Sequence, residues 1–130
     1  MSGLILVVDD EPDVADLFRQ QFRKELRDSR FVMEFALSAA DALERVRTAE
    51  AAKLILILSD INMPNMDGLE FLRQLRSQEL ANEVPVVMIT TESSEDHVRA
   101  ALIAGAQGYI RKPFTAEQVK DRVLPLIGAA

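Results

Sequence analysis

The sequence has no cysteine and no tryptophan, and only one tyrosine, Tyr109, and one histidine, His97. Without cysteine there are no disulfides and no thiol chemistry, which fits a reducing compartment such as the cytoplasm. The lone histidine falls in the first turn of an expected exposed helix and suggests neither a metal site nor a phosphodonor. No apolar stretch approaches the roughly 20 residues of a membrane span. Met1-Ser2-Gly3 puts no basic region ahead of the first apolar run, so neither a secretory signal nor a membrane partner is expected. Basic residues come late: Asp9, Asp10, Glu11, Asp13 and Asp16 all precede the first of them, Arg19. With a net charge of −6, such a surface repels nucleic acid, whereas an acidic cluster favours a hard divalent cation.

What is present is ordinary for one globular domain: 130 residues, 48% of them apolar and 28% charged, which excludes disorder. Apolar runs alternate five times with amphipathic segments. Leu4–Val8 reads as a strand, followed by a helix from Pro12 with Val14, Leu17, Phe18, Phe22 and Leu26 on one face. Phe31–Phe35 is expected as an edge strand. Ser38 with Asp41 resembles a capping box and opens a helix carrying Ala42, Leu43 and Val46. Leu54–Ser59 is the central strand, and Gly68–Ser77 a helix with Leu69, Leu72 and Leu75 inward. Pro85–Ile89 is the fourth strand. A helix from about Ser94 carries Val98, Ala101 and Leu102 and ends at Gly105. Gln107–Arg111 is the fifth strand. Thr115 with Gln118 caps a last helix containing Val119, Val123 and Leu126, which Pro125 ends or kinks a turn early. Strict alternation implies one α/β domain over 1–130, a parallel sheet covered by helices on both faces.

Two apolar runs end in carboxylates: Leu4-Ile5-Leu6-Val7-Val8 in Asp9-Asp10-Glu11-Pro12, and Leu54-Ile55-Leu56-Ile57-Leu58-Ser59 in Asp60. Parallel strands bring their C-terminal ends to one edge, so a shared acidic pocket is expected there. Carboxylates about 4 Å apart repel by roughly 4 kcal/mol at an effective dielectric near 20, so such a pocket welcomes a cation. Asp13 and Asp16, by contrast, suit the positive end of a helix dipole.

Five motifs, in order and on the matching elements, carry a resemblance: Val8-Asp9-Asp10-Glu11-Pro12, Ser59-Asp60-Ile61-Asn62-Met63-Pro64, Met66-Asp67-Gly68, Ile89-Thr90 and Arg111-Lys112-Pro113-Phe114. Together they resemble the receiver domains of two-component response regulators along the whole chain. The resemblance implies a flavodoxin-like (βα)5 three-layer sandwich whose five-stranded parallel sheet has the order 2-1-3-4-5. It implies that Asp60 is a phosphoacceptor for a sensor histidine kinase or a histidine phosphotransfer protein, and that the domain is a signalling switch rather than an enzyme. It implies that Asp10, Asp60 and the Asn62 backbone carbonyl hold Mg²⁺, with Mn²⁺ as the alternative ion, while Asp9 acts mainly through water. Lys112 and Thr90 would contact the phosphoryl group, and a cis peptide before Pro113 would aim the lysine. Thr90 and Tyr109 would form the switch, changing a surface made of the fourth helix, fifth strand and fifth helix. Asn62, Thr91 and Glu92 would govern access and dephosphorylation. Three features depart from the family pattern: Thr91 stands where alanine or glycine is usual, the first helix and its turn run on through Glu25–Arg30, and Pro125 shortens the last helix.

Two other classes are weighed beside it. A haloacid-dehalogenase-type phosphatase places its aspartates as Asp-x-Asp and needs a cap, for which 130 residues leave little room. A flavodoxin-type FMN carrier needs a Ser/Thr/Gly-rich phosphate loop where this chain has three successive acids. No output domain is expected within the chain. A stand-alone regulator and the receiver portion of a longer one, with a downstream protein or fused output domain unidentified, both remain open.

Overall fold

Leu4–Val8 has no polar residue because the strand it builds is buried on both faces, and the same holds for Leu54–Leu58 of the central strand. In the structure, a computed structural model describing residues 3–28, 30–48, 54–80, 83–90, 95–112 and 114–127, five strands form one sheet. They are β1 (Gly3–Val8), β2 (Phe31–Ala36), β3 (Leu54–Asp60), β4 (Val86–Thr90) and β5 (Gly108–Arg111). All neighbouring pairs are parallel and the order is β2-β1-β3-β4-β5, a flavodoxin-like arrangement. Six helices connect and cover them: α1 (Pro12–Gln21), α2 (Arg23–Arg27), α3 (Ala39–Thr48), α4 (Gly68–Ser77), α5 (Glu95–Ile103) and α6 (Ala116–Val123). Among the described residues no helix is long and apolar enough to cross a membrane.

The sheet divides the core into two layers. Leu4, Leu6, Val8, Ile57 and Met88 face α3, α4 and α5, packing on Leu43, Phe71, Leu72, Leu75 and Ala101. Ile5, Val7, Leu56, Leu58, Val87 and Ile89 face the other way, onto Val14, Phe18, Phe22, Val119 and Val123 of the α1 and α6 side. The β1–β3 register slips once. Leu4 stands opposite Leu54, but Ile5 is opposite Leu56, which leaves Ile55 as the extra residue. Gly3 makes room for it, since a Cβ there would lie 2.5 Å from Ile55 Cδ1. From Ile5 onward the pairing is regular, ending with Val8 opposite Ser59.

The expected single helix from Pro12 is interrupted. Phe22 leaves helical geometry at φ −108°, ψ 23°, and a short α2 continues from Arg23. Its ring is fully buried, 6.2 Å from Phe18 and edge-on to Phe31 at 5.7 Å. Leu17, expected inward, is 39% exposed. The buried line runs through Val14, Phe18 and Phe22, and residue 17 sits about 100° round the helix from Phe18. Leu102 is 46% exposed for the same reason, because Ala101 marks the inward line of α5. Leu126 is 37% exposed, lying past the end of α6 in a 3₁₀ turn over Leu124–Ile127 that contains Pro125.

Local caps follow the side-chain chemistry. Thr115 Oγ1 accepts from the Gln118 backbone N–H at 3.1 Å and Gln118 Oε1 accepts from the Thr115 N–H at 2.9 Å, a complete capping box. Ser38 Oγ likewise accepts from the Asp41 N–H at 3.0 Å, but the Asp41 carboxylate goes to Arg45 at 3.1 Å instead of closing a box. Gly105 ends α5 at φ +110°, a conformation glycine adopts without cost.

Candidate functional site

Asp9 directly follows β1 and Asp60 is the last residue of β3, the two neighbouring central strands. One step beyond the Val8–Ser59 pair, the register sets these two aspartates side by side at the carboxyl edge of the sheet. Both are buried, each 4% exposed, whereas Asp10 lies further out toward solvent. One carboxylate oxygen from each of Asp9, Asp10 and Asp60 lies within 4.8 Å of the others.

Backbone groups hold these side chains. Asp9 Oδ1 accepts from the Glu11 N–H at 2.9 Å, and Asp60 Oδ1 accepts from the Asn62 N–H at 3.2 Å. Lys112, just past β5, is fixed by its own N–H donating to the Thr90 carbonyl at 2.7 Å. Its ammonium donates to Asp9 Oδ2 at 2.9 Å and stands 3.5 Å from Asp60 Oδ2. Thr90, fully buried, ends β4 beside Asp60, where Ile61 N–H also bonds the Ile89 carbonyl at 3.0 Å. The loop after Asp60 turns through Asn65 at φ 69°, a left-handed position that asparagine tolerates. It then starts α4 with Asp67, whose carboxylate accepts from the Glu70 N–H at 2.8 Å. Gly68 lies against the back of the site: its N–H bonds the Ile61 carbonyl at 2.8 Å, and a Cβ would stand 2.2 Å from the Asp60 carbonyl oxygen.

The electrostatics are frustrated. Burial raises the Asp60 pKa, and Asp9 raises it further, against the lowering effects of Lys112 and the Asn62 N–H. Burial alone would pull Lys112 down, but its hydrogen bond to Asp9 and the charges of Asp60, Asp9 and Glu11 outweigh that and hold it raised. Three acids around one ammonium leave an excess of negative charge. The donors are all oxygen, clustered at one open edge, which is the set a hard cation such as Mg²⁺ takes.

The structure therefore brings together Asp9, Asp10, Asp60, Asn62, Thr90 and Lys112. Tyr109 stands apart on β5, half-buried, opposite Met88 and lining a cavity of about 450 Å³ toward α6. Thr91, Glu92 and Pro113 lie outside the described residues, as do Ser94 and the side chain of His97. Sequence reasoning missed the contact of Lys112 with Asp9, for which no local signal exists across 103 residues. The close approach of Gly68 to the Asp60 carbonyl was likewise not foreseen, although the Asp67-Gly68 step before an apolar helix was a readable sign of it.

Comparison with known proteins agrees with this geometry. The family profile of the response regulator receiver domain matches residues 5–124. Chemotaxis protein CheY1 of Helicobacter pylori is 34% identical over 125 residues, covering 95% of this chain and 96% of that protein. Response regulator MprA of Mycobacterium ulcerans is 36% identical over 127 residues, 98% of this chain, which spans about half (51%) of that relative's length. Chemotaxis protein CheY4 of Vibrio cholerae superposes with a TM-score of 0.83 at 28% identity, over 97% of this chain and 99% of that one.

Proposed function

The chain belongs to the response regulator receiver family of two-component signalling, and from that premise we propose that Asp60 is its phosphoacceptor. The observation that carries this reading is a buried carboxylate at the tip of the central strand, with an ammonium 3.5 Å away and two further acids beside it. In the reaction an Asp60 carboxylate oxygen attacks the phosphorus of a phosphohistidine on a kinase or phosphotransfer protein. The O–P bond forms as the P–N bond breaks, and the imidazole leaves.

Asp10, Asp60 and the Asn62 carbonyl, with Asp9 beside them, would hold Mg²⁺ or Mn²⁺, which when bound supplies countercharge for the phosphoryl oxygens. The chain's own groups do the rest. Lys112, held by Asp9 and by its N–H on Thr90, is aimed at the acceptor oxygen and can follow the negative charge onto the phosphoryl group. Thr90 at the neighbouring strand end offers a hydroxyl to the same group, and Tyr109, two residues before Arg111 (the register partner of Thr90), reads the change. Asn62, Thr91 and Glu92 control the approach of the water that later hydrolyses the acyl phosphate. The domain thus acts on its own phosphoryl group, in the cytoplasm, and passes the signal on by altering the surface of α5, β5 and α6.

Incubation with acetyl phosphate and Mg²⁺ should add one acid-stable, base-labile phosphate, read by intact mass. Asp60→Asn should abolish it. Uptake by that variant at the wild-type level would overturn the assignment.

A further inference from the structure

The outward face of α1 and α2 carries its charges in two blocks. Asp13 and Asp16 lie in the first half, Lys24 and Arg27 in the second, and all four are exposed. The break at Phe22 does not part the halves. The Phe22 N–H bonds the Phe18 carbonyl at 3.0 Å and the Leu26 N–H bonds the Phe22 carbonyl at 2.9 Å. The two helices therefore form one bent rod, about 21 Å from residue 13 to residue 27. Asp13, Leu17, Gln20, Lys24 and Arg27 recur at alternating steps of four and three, the spacing of a helix–helix seam. Val14, Phe18, Phe22 and Glu25 hold the buried line, so this seam faces solvent, with Leu17 at 39% exposure within it. Little inside the molecule uses these charges. Among the described residues neither Asp13 nor Lys24 has an ion-pair partner. Asp16 has Arg19 at 3.3 Å and Arg27 has Asp28 at 3.7 Å, exposed pairs that contribute little. Arg19, the cation nearest the acidic block, is turned toward β2, its guanidinium 4.6 Å from the centre of the Phe35 ring.

We propose that this face pairs with the same face of a second copy of the chain, antiparallel, about a two-fold axis at Gln20. Positions on either side of that residue match in distance and are opposite in sign. Asp13 meets Arg27 of the second copy, Asp16 meets its Lys24, and the axis repeats both contacts. Gln20 meets its own counterpart, and Leu17 lies on the methylene stem of Lys24 from the second copy. A parallel arrangement would set acid on acid and base on base. The face is thus self-complementary in the antiparallel sense alone, and a two-fold interface closes at two copies. The net charge of −6 on each copy does not forbid the pairing. Charges further apart than the Debye length, about 8 Å at physiological salt, are screened, whereas pairs in contact are screened far less. None of these residues belongs to α5, β5 or α6, or to the set around Asp60, so the pairing stands independently of the role given to Asp60.

The unphosphorylated protein, followed by sedimentation velocity and by amide shifts up to about 1 mM, should form a dimer with a dissociation constant on the order of 100 μM that weakens with salt. The concentration-dependent shifts should centre on residues 13–27. Asp16→Lys and Lys24→Glu, both at exposed positions, each set like charges opposite one another twice and should weaken self-association tenfold or more. Mixed in equal amounts, the two variants should pair with each other as tightly as the wild type does, because every contact between them is again opposite in sign. Asp13→Lys with Arg27→Glu repeats the test at the outer contact, should either of the first two variants fail to fold. A protein that stays monomeric up to about 1 mM would overturn the proposal, as would shifts centred elsewhere. Variants that self-associate like the wild type, or a mixture no tighter than either variant alone, would overturn it too.

Discussion

Replacing Asp60 by asparagine should stabilise the cation-free protein even as it removes the proposed reactive group. The magnitude follows from the neighbours. An Asp9 oxygen within 4.8 Å repels the Asp60 charge by about 3.5 kcal/mol at an effective dielectric near 20. Lys112 at 3.5 Å attracts it by about 4.7 kcal/mol on the same scale. These nearly cancel, and what remains is the burial penalty of an ion, several kcal/mol, partly relieved by the Asn62 N–H. Asparagine keeps the shape and sheds the charge, so the net gain should be about 1–2 kcal/mol. For a domain of this size that is roughly 4–8 °C in Tm. The sign with pH follows from the raised pKa of Asp60. Wild-type stability associated with this group is full below the unfolded value near 3.9 and is lost as pH rises through the folded value. The advantage of the variant should therefore be small at acid pH, grow across that window and level off above it. Mg²⁺ at 100 times its dissociation constant should add about 2.7 kcal/mol to the wild type and less to the variant, closing or reversing the gap. Thermal and urea unfolding in EDTA and in Mg²⁺ would measure all of this. A variant that melts at or below the wild type in EDTA, or a gap that ignores pH, would refute the electrostatic reading of the site.

Three further outcomes are expected. Asp10→Asn should weaken Mg²⁺ binding by one to two orders of magnitude, about 1.4–3 kcal/mol, and an unchanged titration of amide shifts would show that Asp10 is not a ligand. Gly68→Ala should cost about 2–4 kcal/mol, because its Cβ meets the Asp60 carbonyl at 2.2 Å and the backbone must move; urea unfolding would show it, and wild-type stability would mean that α4 shifts freely. Beryllofluoride, standing in for the phosphoryl group, should move amides from Asp60 out to Val98–Leu102 and Tyr109, whereas shifts confined to residues touching the ligand would argue against a Thr90–Tyr109 switch.

The strands and the acidic edge were legible because buried parallel strands read as unbroken apolar runs, and both central runs stop at an aspartate. The sheet order came through the family motifs, since no local pattern distinguishes β2-β1-β3 from other orders. The helix faces were read less well. Leu17 and Leu102 share a helical stripe with buried residues, yet which line turns inward depends on how each helix lies on a twisted sheet, and that is set by partners far along the chain. Phe71, fully buried beside Leu72, was missed for the same reason. The break at Phe22 has no glycine or proline to announce it; it coincides with a buried cluster of Phe18, Phe22 and Phe31, assembled only when β2 is in place.

The extra residue Ile55 has a consequence at the opposite end of its strand. Side chains alternate along β3, so one inserted residue reverses which layer every later residue enters. With the slip, Leu56 and Leu58 join the layer under α1 and α6, and Asp60 comes level with Asp9. Without it, the Leu4–Leu54 pairing would carry forward unchanged, Asp9 would stand beside Ser59, and Asp60 would fall level with Asp10. A slip about 16 Å upstream thus sets which residue of β1 Asp60 stands beside. Deleting Ile55 would therefore close the slip and leave Ile5 opposite Leu56 and Asp60 level with Asp9, whereas pairing Ile55 regularly would move the carboxylate by one place, so it is the unpaired state of Ile55 that keeps the acidic edge in phase.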